Sequence, residues 1–448
     1  MLFSLLYYLF LTIAGYFVLV GLYVRFRPKP RQLVGFFHPY CNQGGGGERV
    51  LWSIIKSLNS LNPSLKFAIY TGDTEPPNII TDKAKAMFGI DLEGIDIAFV
   101  RLKYVKLIDP SRYPVLTMVL QFFGSFILTH EAILKQSVSL FYDTHGHPFG
   151  YWFVRGVCGI PVVAYVHYPV LSSDMISRVR ALRPTYNNGS RIARSQTVSY
   201  LKVAYYYVLM KGLSFMGLFV KLAICNSTWT AEHIRKVWST QITVVYPPCD
   251  VEAFKRLRPK PTGQHIAVSI GQFRPEKDHE LQIEAFGMML RAHPELSESK
   301  LVLIGSSRVE DQARVKALQD QAESLGISHQ VEFKLNVKFT ELLDTLETAE
   351  AGLHTMWNEH FGISVVELMA AGLITLAHDS GGPKADIIHP SKNGFLAATA
   401  EEYAEKLAHI FTNYGNLAPV VEDARESVGR FSDEAFKEHM IEVMRGLV

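Results

Sequence analysis

Short apolar runs rich in β-branched and aromatic residues recur along this chain, each followed by a stretch with helical spacing. The first set is LVGFFH (33–38), KFAIYT (66–71), SLFYDT (139–144), PVVAYVHYP (161–169) and LAICNST (222–228). Strands that alternate with helices predict a parallel sheet covered by helices on both faces. VVYPPCDVEAF (244–254) interrupts the alternation with adjacent prolines and reads as a boundary. The pattern then restarts with IAVSIGQF (266–273), LVLIGSS (301–307), VEFKLNV (331–337), EAGLHTMW (350–357) and LITLAHDS (373–380). At 448 residues the chain also exceeds what one hydrophobic core usually holds. The expectation is an α/β protein of two doubly wound, Rossmann-like halves, over 32–246 and 250–430, facing a central cleft. In such sheets ligands bind beyond the carboxyl ends of the strands. DEAFKEHMIEVMRGLV, within 431–448, is an amphipathic helix with no strand after it and is free to cross back to the first half.

The N-terminus departs from this pattern. MLFSLLYYLFLTIAGYFVLVGLYV carries no charge through 24 residues and is followed by Arg25, Arg27, Lys29 and Arg31. About 20 apolar residues cross a bilayer core as a helix. No basic stretch precedes the run and no small-residue cleavage site follows it, so residues 1–25 read as an uncleaved transmembrane anchor in place of a signal peptide. The basic cluster then puts everything downstream on the cytosolic side, where the sequons at Asn188 and Asn226 meet no glycosylation machinery. Two further stretches, 113–134 and 200–222, are apolar enough either to touch a bilayer or to form buried helices. In the second, Lys202, Lys211 and Lys221 suit snorkelling at a headgroup layer. Cys41, Cys158, Cys225 and Cys249 have no metal-binding spacing and read as free thiols of a reducing compartment. With 45 basic against 43 acidic residues, nucleic acid is not a favoured partner.

The chemistry concentrates at strand ends. In WNEHFGISVVELMAAG (357–372) a loop with Glu359 leads through Phe361, Gly362 and Ile363 into a helix that carries Glu367. A helix start offers unpaired N–H groups to an anion, so phosphate suits Gly362 and Ile363. Five residues of helix rise about 7.5 Å, roughly the reach from a pyrophosphate to the ribose of the same nucleotide, which suits Glu367. Glu359 then faces the group beyond the phosphates, although two exposed glutamates on an ordinary helix would share this spacing. SIGQFRPEKDHELQIEAF (269–286) repeats the architecture: Gly271 makes the turn, and Arg274 and Lys277 suit a leaving diphosphate. HDSGG (378–382) adds a third glycine turn. In the first half His167 ends a strand, placed to bind a sugar hydroxyl or assist a proton transfer, and His145 and His147 are weaker candidates. CNQGGGGERVLW (41–52) sets Gly44, Gly45, Gly46 and Gly47 between a strand and a helix, where a backbone without side chains can approach a ligand closely.

Together these motifs resemble family 4 of the glycosyltransferases, which have the two-domain GT-B fold. The likeness covers nearly all the chain after the apolar N-terminus, and its most specific mark is the E-x7-E spacing of Glu359 and Glu367. The resemblance implies that Glu359 contacts the donor sugar, Glu367 the ribose, and a basic pair the diphosphate. Lys277 fits the family lysine, whereas the arginine usually placed directly after the glycine is Gln272 here, with Arg274 as the nearby cation. HPYCNQGGGGERVLW, YDTHGHPF, YVHYPVLSSDM, SIGQFRPEKDH and NEHFGISVVE bring the chain nearest to the eukaryotic members that add the fourth and fifth mannoses of a dolichol-linked oligosaccharide in α1,2 linkage from GDP-mannose, at the cytosolic face of the endoplasmic reticulum. That likeness implies a retaining transfer with no metal or other cofactor, and as partners GDP-mannose, the dolichol-linked oligosaccharide, membrane lipids and other mannosyltransferases of the same assembly line. Another lipid-acceptor transferase of the family, one using a different nucleotide sugar, or a catalytically silent membrane scaffold are the alternatives. A soluble epimerase of this fold does not fit the apolar N-terminus.

Overall fold

The computed structural model of the protein describes residues 2–27, 32–169, 196–259 and 263–448. Lys29, Arg31, Asn188 and the end of the YVHYPVLSSDM motif lie outside the described residues. The chain divides into two compact units. The first comprises Met1–Asn226, Thr230–Val245 and Lys437–Val448, and the second Ser227–Trp229 and Tyr246–Phe436.

The first unit is built on seven parallel strands: β1 (Leu33–Phe37), β2 (Lys66–Thr71), β3 (Ile97–Arg101), β4 (Leu140–Asp143), β5 (Val162–Val166), β6 (Leu222–Cys225) and β7 (Gln241–Val244). Their spatial order is β3-β2-β1-β4-β5-β6-β7. The second unit has six, all parallel: β8 (Ile266–Ile270), β9 (Lys300–Gly305), β10 (Val331–Leu335), β11 (Ala351–His354), β12 (Ile374–His378) and β13 (Phe395–Ala397), in the order β10-β9-β8-β11-β12-β13. Central strands such as β1, β4, β5, β6, β11 and β12 are buried at every residue, as a sheet with helices on both faces requires. Strands β3, β7 and β13 do not stand out in the sequence. All three lie at sheet edges, where partial exposure or a length of three residues removes the continuous apolar run.

Each sheet reverses its winding once, between β1 and β4 in the first unit and between β8 and β11 in the second. Loops leaving such neighbours in opposite directions open a crevice at the carboxyl ends of the strands. The glycine run follows β1, the His145–His147 segment follows β4, the Lys277 turn follows β8 and the Glu359 loop follows β11. Every motif singled out on chemical grounds therefore stands at a switch point or beside it.

The apolar N-terminus forms one helix, Leu2–Phe26, whose last turns pack on the first unit. Val20 and Val24 are buried, Phe17 meets Trp152 edge-on, and Arg25 donates to the carbonyls of Val157 (3.0 Å) and Gly156 (3.1 Å). Among the described residues, Thr117–Lys135 is the helix long and apolar enough to cross a membrane, and Leu11–Phe26 is a shorter apolar stretch. Thr117–Lys135 buries Leu128, Ala132 and Ile133 in the core while exposing Phe123 and Ile127. Gln196–Gly217, which overlaps the second apolar stretch, packs on it through Val203, Tyr206, Leu209 and Leu213, and exposes Val208 and Phe215. All four cysteines are free and buried.

Candidate donor-binding and catalytic site

In the second unit the turn after β8 and the loop after β11 are joined by side chains. Lys277 Nζ lies 2.5 Å from Glu359 Oε2, and both residues are largely buried. His354, the last residue of β11, places Nε2 3.2 Å from the same oxygen, and Glu359 Oε1 accepts the N–H of His360 at 3.1 Å. Burial alone would push the Glu359 carboxyl up. The Lys277 ammonium and the His354 hydrogen bond outweigh it and hold the group well below the usual carboxylate range, so it is ionised at neutral pH. Burial keeps His354 neutral.

The surrounding backbone fixes this arrangement. Thr355 Oγ1 bonds to the carbonyls of Lys277 (2.8 Å) and Asp278 (3.0 Å) and accepts from Gln282 Nε2 (2.7 Å), tying the two turns together from below. Gly271 N–H bonds to the Ile304 carbonyl, and the backbones come so close that a Cβ on Gly305 would lie 1.7 Å from the Gly271 oxygen. The HDSGG turn supports the Glu359 loop: Ser380 Oγ accepts from Asn358 N–H (2.8 Å), and Gly382 N–H donates to the Glu359 carbonyl (2.7 Å). Gly381 has φ +65°, and a Cβ there would meet the Glu359 carbonyl oxygen at 2.3 Å. Ser227 Oγ holds the His360 carbonyl at 2.5 Å.

Gly362, at φ +113°, is the N-cap of the helix Ile363–Ala371, and Phe361 is buried between Tyr246 and Phe431. Glu367 is half-buried on the second turn of that helix. Arg274 precedes the short turn Pro275–Lys277, and among the described residues its guanidinium makes no ion pair. The structure thus brings Gly271, Lys277, Phe361, Gly362, Ile363 and Glu359 to one strand-end region, with Arg274 and Glu367 on the same turn and helix. A cation, a helix start and a fixed carboxylate at a switch point are suited to a sugar diphosphate.

Sequence reasoning did not single out His354, Thr355, Gln282, Ser380 or Gly305. The signal available was a histidine closing a strand five residues before the glutamate. Thr355, Gln282 and Gly305 carry no local mark, because their partners are distant in sequence, and Ser380 was visible only as part of the HDSGG turn.

The first unit has its own cluster. His167 Nε2 lies 3.1 Å from the Thr144 carbonyl, His38 Nδ1 lies 2.8 Å from Thr144 Oγ1, and a Cβ on Gly47 would sit 3.8–3.9 Å from both rings. Asp143, at the end of β4, accepts the N–H groups of His145 (2.7 Å), Gly146 (2.9 Å) and His147 (2.9 Å), and the Tyr151 hydroxyl (2.6 Å). His145 and His147 stack at 4.8 Å. Burial, with His147 alongside, lowers His145 to about 3, and burial lowers His147 to about 4, so both are neutral at pH 7.

The glycine run divides its work. Gly44 takes φ +85°. The Glu48 side chain folds back onto the N–H groups of Gln43 and Gly45, and Gly46 and Gly47 begin the helix Gly46–Leu61. Part of the loop's donor capacity is therefore spent on Glu48, and the ligand-facing reading narrows to the helix start. Among the described residues no three His, Cys, Asp or Glu side chains gather as metal ligands.

Residues 31–238 match the family described as ALG11 mannosyltransferase N-terminus, and residues 250–438 match Glycosyl transferases group 1. The mouse GDP-Man:Man(3)GlcNAc(2)-PP-Dol alpha-1,2-mannosyltransferase is 43% identical over 423 residues, covering 91% of this chain and 86% of the mouse protein. The chain belongs to this mannosyltransferase family. The human protein of that name is 42% identical (91% and 86% covered), and the Dictyostelium discoideum protein 40% (93% and 85%). Among solved structures, the Anabaena protein HepE in complex with UDP and glucose superposes with a TM-score of 0.62 at 15% identity, covering 92% of this chain and 99% of that one. Sucrose-phosphate synthase from Thermosynechococcus elongatus gives 0.65 at 16% identity, with 93% and 99% covered. The fold of this mannosyltransferase family member is thus GT-B, with two parallel-sheet, Rossmann-like units.

Proposed function

We propose that this mannosyltransferase moves mannose from GDP-mannose to a dolichyl-diphosphate-linked Man3GlcNAc2 oligosaccharide, and then to the Man4 product, forming α1,2 linkages with retention at the anomeric carbon. The observation that carries the reading is the meeting of Lys277 and Glu359 at the β8/β11 switch point, in a chain two-fifths identical to transferases named for that reaction. The diphosphate binds Lys277, Arg274 and the helix start at Gly362 and Ile363, with Gly271 allowing the backbone to approach. Glu367 takes the ribose hydroxyls. Negative charge grows on the diphosphate as the bond to the anomeric carbon breaks, and the fixed cation and N–H groups stabilise it without reorganising. The acceptor hydroxyl enters on the face the diphosphate leaves, its proton passes to the departing phosphate oxygen, and Glu359 steadies the sugar. No metal takes part.

In this reading the first unit receives the acceptor. His167 and the helix start at Gly46 and Gly47 bind its polar groups, and Phe123, Ile127, Val208 and Phe215 lie against lipid. The helix Leu2–Phe26 anchors the chain in the endoplasmic reticulum membrane with both units on the cytosolic face.

The test is to incubate the detergent-solubilised full chain with a trimannosyl lipid-linked acceptor and either GDP-mannose or UDP-sugars, then weigh the products. One and two added hexoses from GDP-mannose alone are expected. Growth from a UDP-sugar, or none from GDP-mannose, would overturn the reading.

A further inference from the structure

We propose that His354 is a positioning residue for Glu359, holding its carboxylate through Nε2–H while a donor diphosphate engages Lys277. The inference rests on the roles proposed above for Glu359 and Lys277. Both Lys277 Nζ and His354 Nε2 reach one oxygen of Glu359, at 2.5 and 3.2 Å. Lys277 is also the cation assigned to the diphosphate, which in a nucleotide sugar carries two negative charges against the one of a carboxylate. When the donor binds, the ammonium is shared or drawn away, and Glu359, largely buried, keeps its place through whatever donor remains. His354 is that donor on Oε2, the oxygen Lys277 releases, since the His360 N–H holds only the other oxygen, Oε1.

Three features fit this role. The ring is 3% exposed at the last residue of β11, so it cannot swing to solvent. Its backbone carbonyl accepts the Tyr403 hydroxyl at 2.8 Å, and Thr355 beside it is bonded to the Lys277 turn, so the ring rides on a fixed strand end. Its Nδ1 has no hydrogen-bond partner among the described residues. A neutral imidazole has a single N–H. Placing it on Nε2 satisfies Glu359, whereas placing it on Nδ1 would bury an unpaired donor and set the Nε2 lone pair against the carboxylate. The surroundings therefore select the tautomer that holds Glu359.

Gln and Asn substitutions separate positioning from simple packing. A glutamine amide nitrogen can take the place of Nε2, whereas that of asparagine falls short, and both are polar and smaller than histidine. In the full chain, H354N is expected to lose at least tenfold in kcat, with GDP affinity by calorimetry within about twofold of wild type. H354Q should recover most of that loss. The acid limb of the kcat profile should move to higher pH in H354N, because Glu359 has lost a donor. Lys277, the other charged group acting on this carboxylate, and His279, which faces Lys277 and His354, are the same in both variants. Equal losses in H354N and H354Q with an unmoved acid limb, or wild-type turnover in H354N, would overturn the proposal. If E359Q itself turns over normally, the reading of Glu359 fails and the present inference with it. If E359Q is inactive while H354N is normal, only the role of His354 fails.

Discussion

Lys277 Nζ and Glu359 Oε2, 82 residues apart in sequence, meet at 2.5 Å and bridge the two loops that leave the switch point of the second sheet. The pair is neither surface-exposed nor fully enclosed, with side-chain exposures of 24% and 14%. An exposed ion pair adds little to stability, whereas a buried one that loses a partner leaves a costly charge behind. Any ligand that draws Lys277 away therefore changes the electrostatics of Glu359, and the two residues respond as a unit.

Replacing Glu359 should separate turnover from binding. E359A is expected to lower kcat by a hundredfold or more, the order seen when a fixed polar group at a reaction centre is removed. GDP affinity should be retained or raised, since Lys277 no longer shares its charge with a carboxylate. Calorimetry with GDP beside single-turnover kinetics checks both halves. Unchanged turnover, or GDP binding that collapses with it, would defeat the assignment.

Replacing Lys277 should do the reverse. A hydrogen bond to a charged group contributes about 1.5–3 kcal/mol, so K277A is expected to weaken GDP binding by about tenfold to a hundredfold. The same change strips Glu359 of its strongest partner and raises its pKa, so the acid limb of the activity profile should move upward as well. An unaltered GDP affinity would remove Lys277 from the diphosphate site.

How much of this was legible in the sequence depends on how far each partner lies along the chain. The central strands declared themselves because burial on both faces demands continuous apolar runs, as in β1 and β12. The edge strands β3, β7 and β13 did not, because edges relax that demand. Glu359, Gly362 and Lys277 were visible because strand, turn and helix start are local patterns. Thr355 and Gln282 were not. Their bond to one another, and that of Thr355 to the Lys277 carbonyl 78 residues away, exist only once the sheet has brought β8 and β11 side by side. The glycine run was correctly placed at a strand end, but that Glu48 would fold back to take two of its N–H donors depends on side-chain geometry that spacing alone does not give.

Two glycines outside the quadruple run are expected to be less replaceable than the run's position suggests. G305A would drive a carbon to 1.7 Å from the Gly271 oxygen, and G381A would add a contact of 2.3 Å with the Glu359 carbonyl at a residue already at φ +65°. Each should displace a loop of the donor site, lowering GDP affinity at least tenfold together with the melting temperature. G415A, where an added carbon meets nothing within 4 Å, is the control and should melt like wild type. Melting curves and GDP titrations of the three variants decide the matter. Wild-type binding in G305A would show that the Gly271 turn does not depend on that close approach.

His279 supplies a pH dependence of stability with a definite sign. It stacks on Phe273 at 4.8 Å, neither ring nitrogen has a hydrogen-bond partner among the described residues, and burial, with Lys277, Arg314 and His354 nearby, lowers its pKa to about 4. In the unfolded chain a histidine titrates near 6.5. Between pH 6.5 and 4 the unfolded chain binds a proton that the native state refuses, so stability is full above this window and falls as the pH drops through it. A difference of about 2.5 pH units corresponds to at most about 3–4 kcal/mol for this one residue. H279F keeps the stacked ring and removes both unpaired nitrogens. The variant is expected to melt at or above wild type at pH 7, within the small cost of a slightly larger ring, and to lose less than wild type between pH 7 and 4.5. Parallel melting curves across that range would show that His279 does not titrate in the way its surroundings dictate.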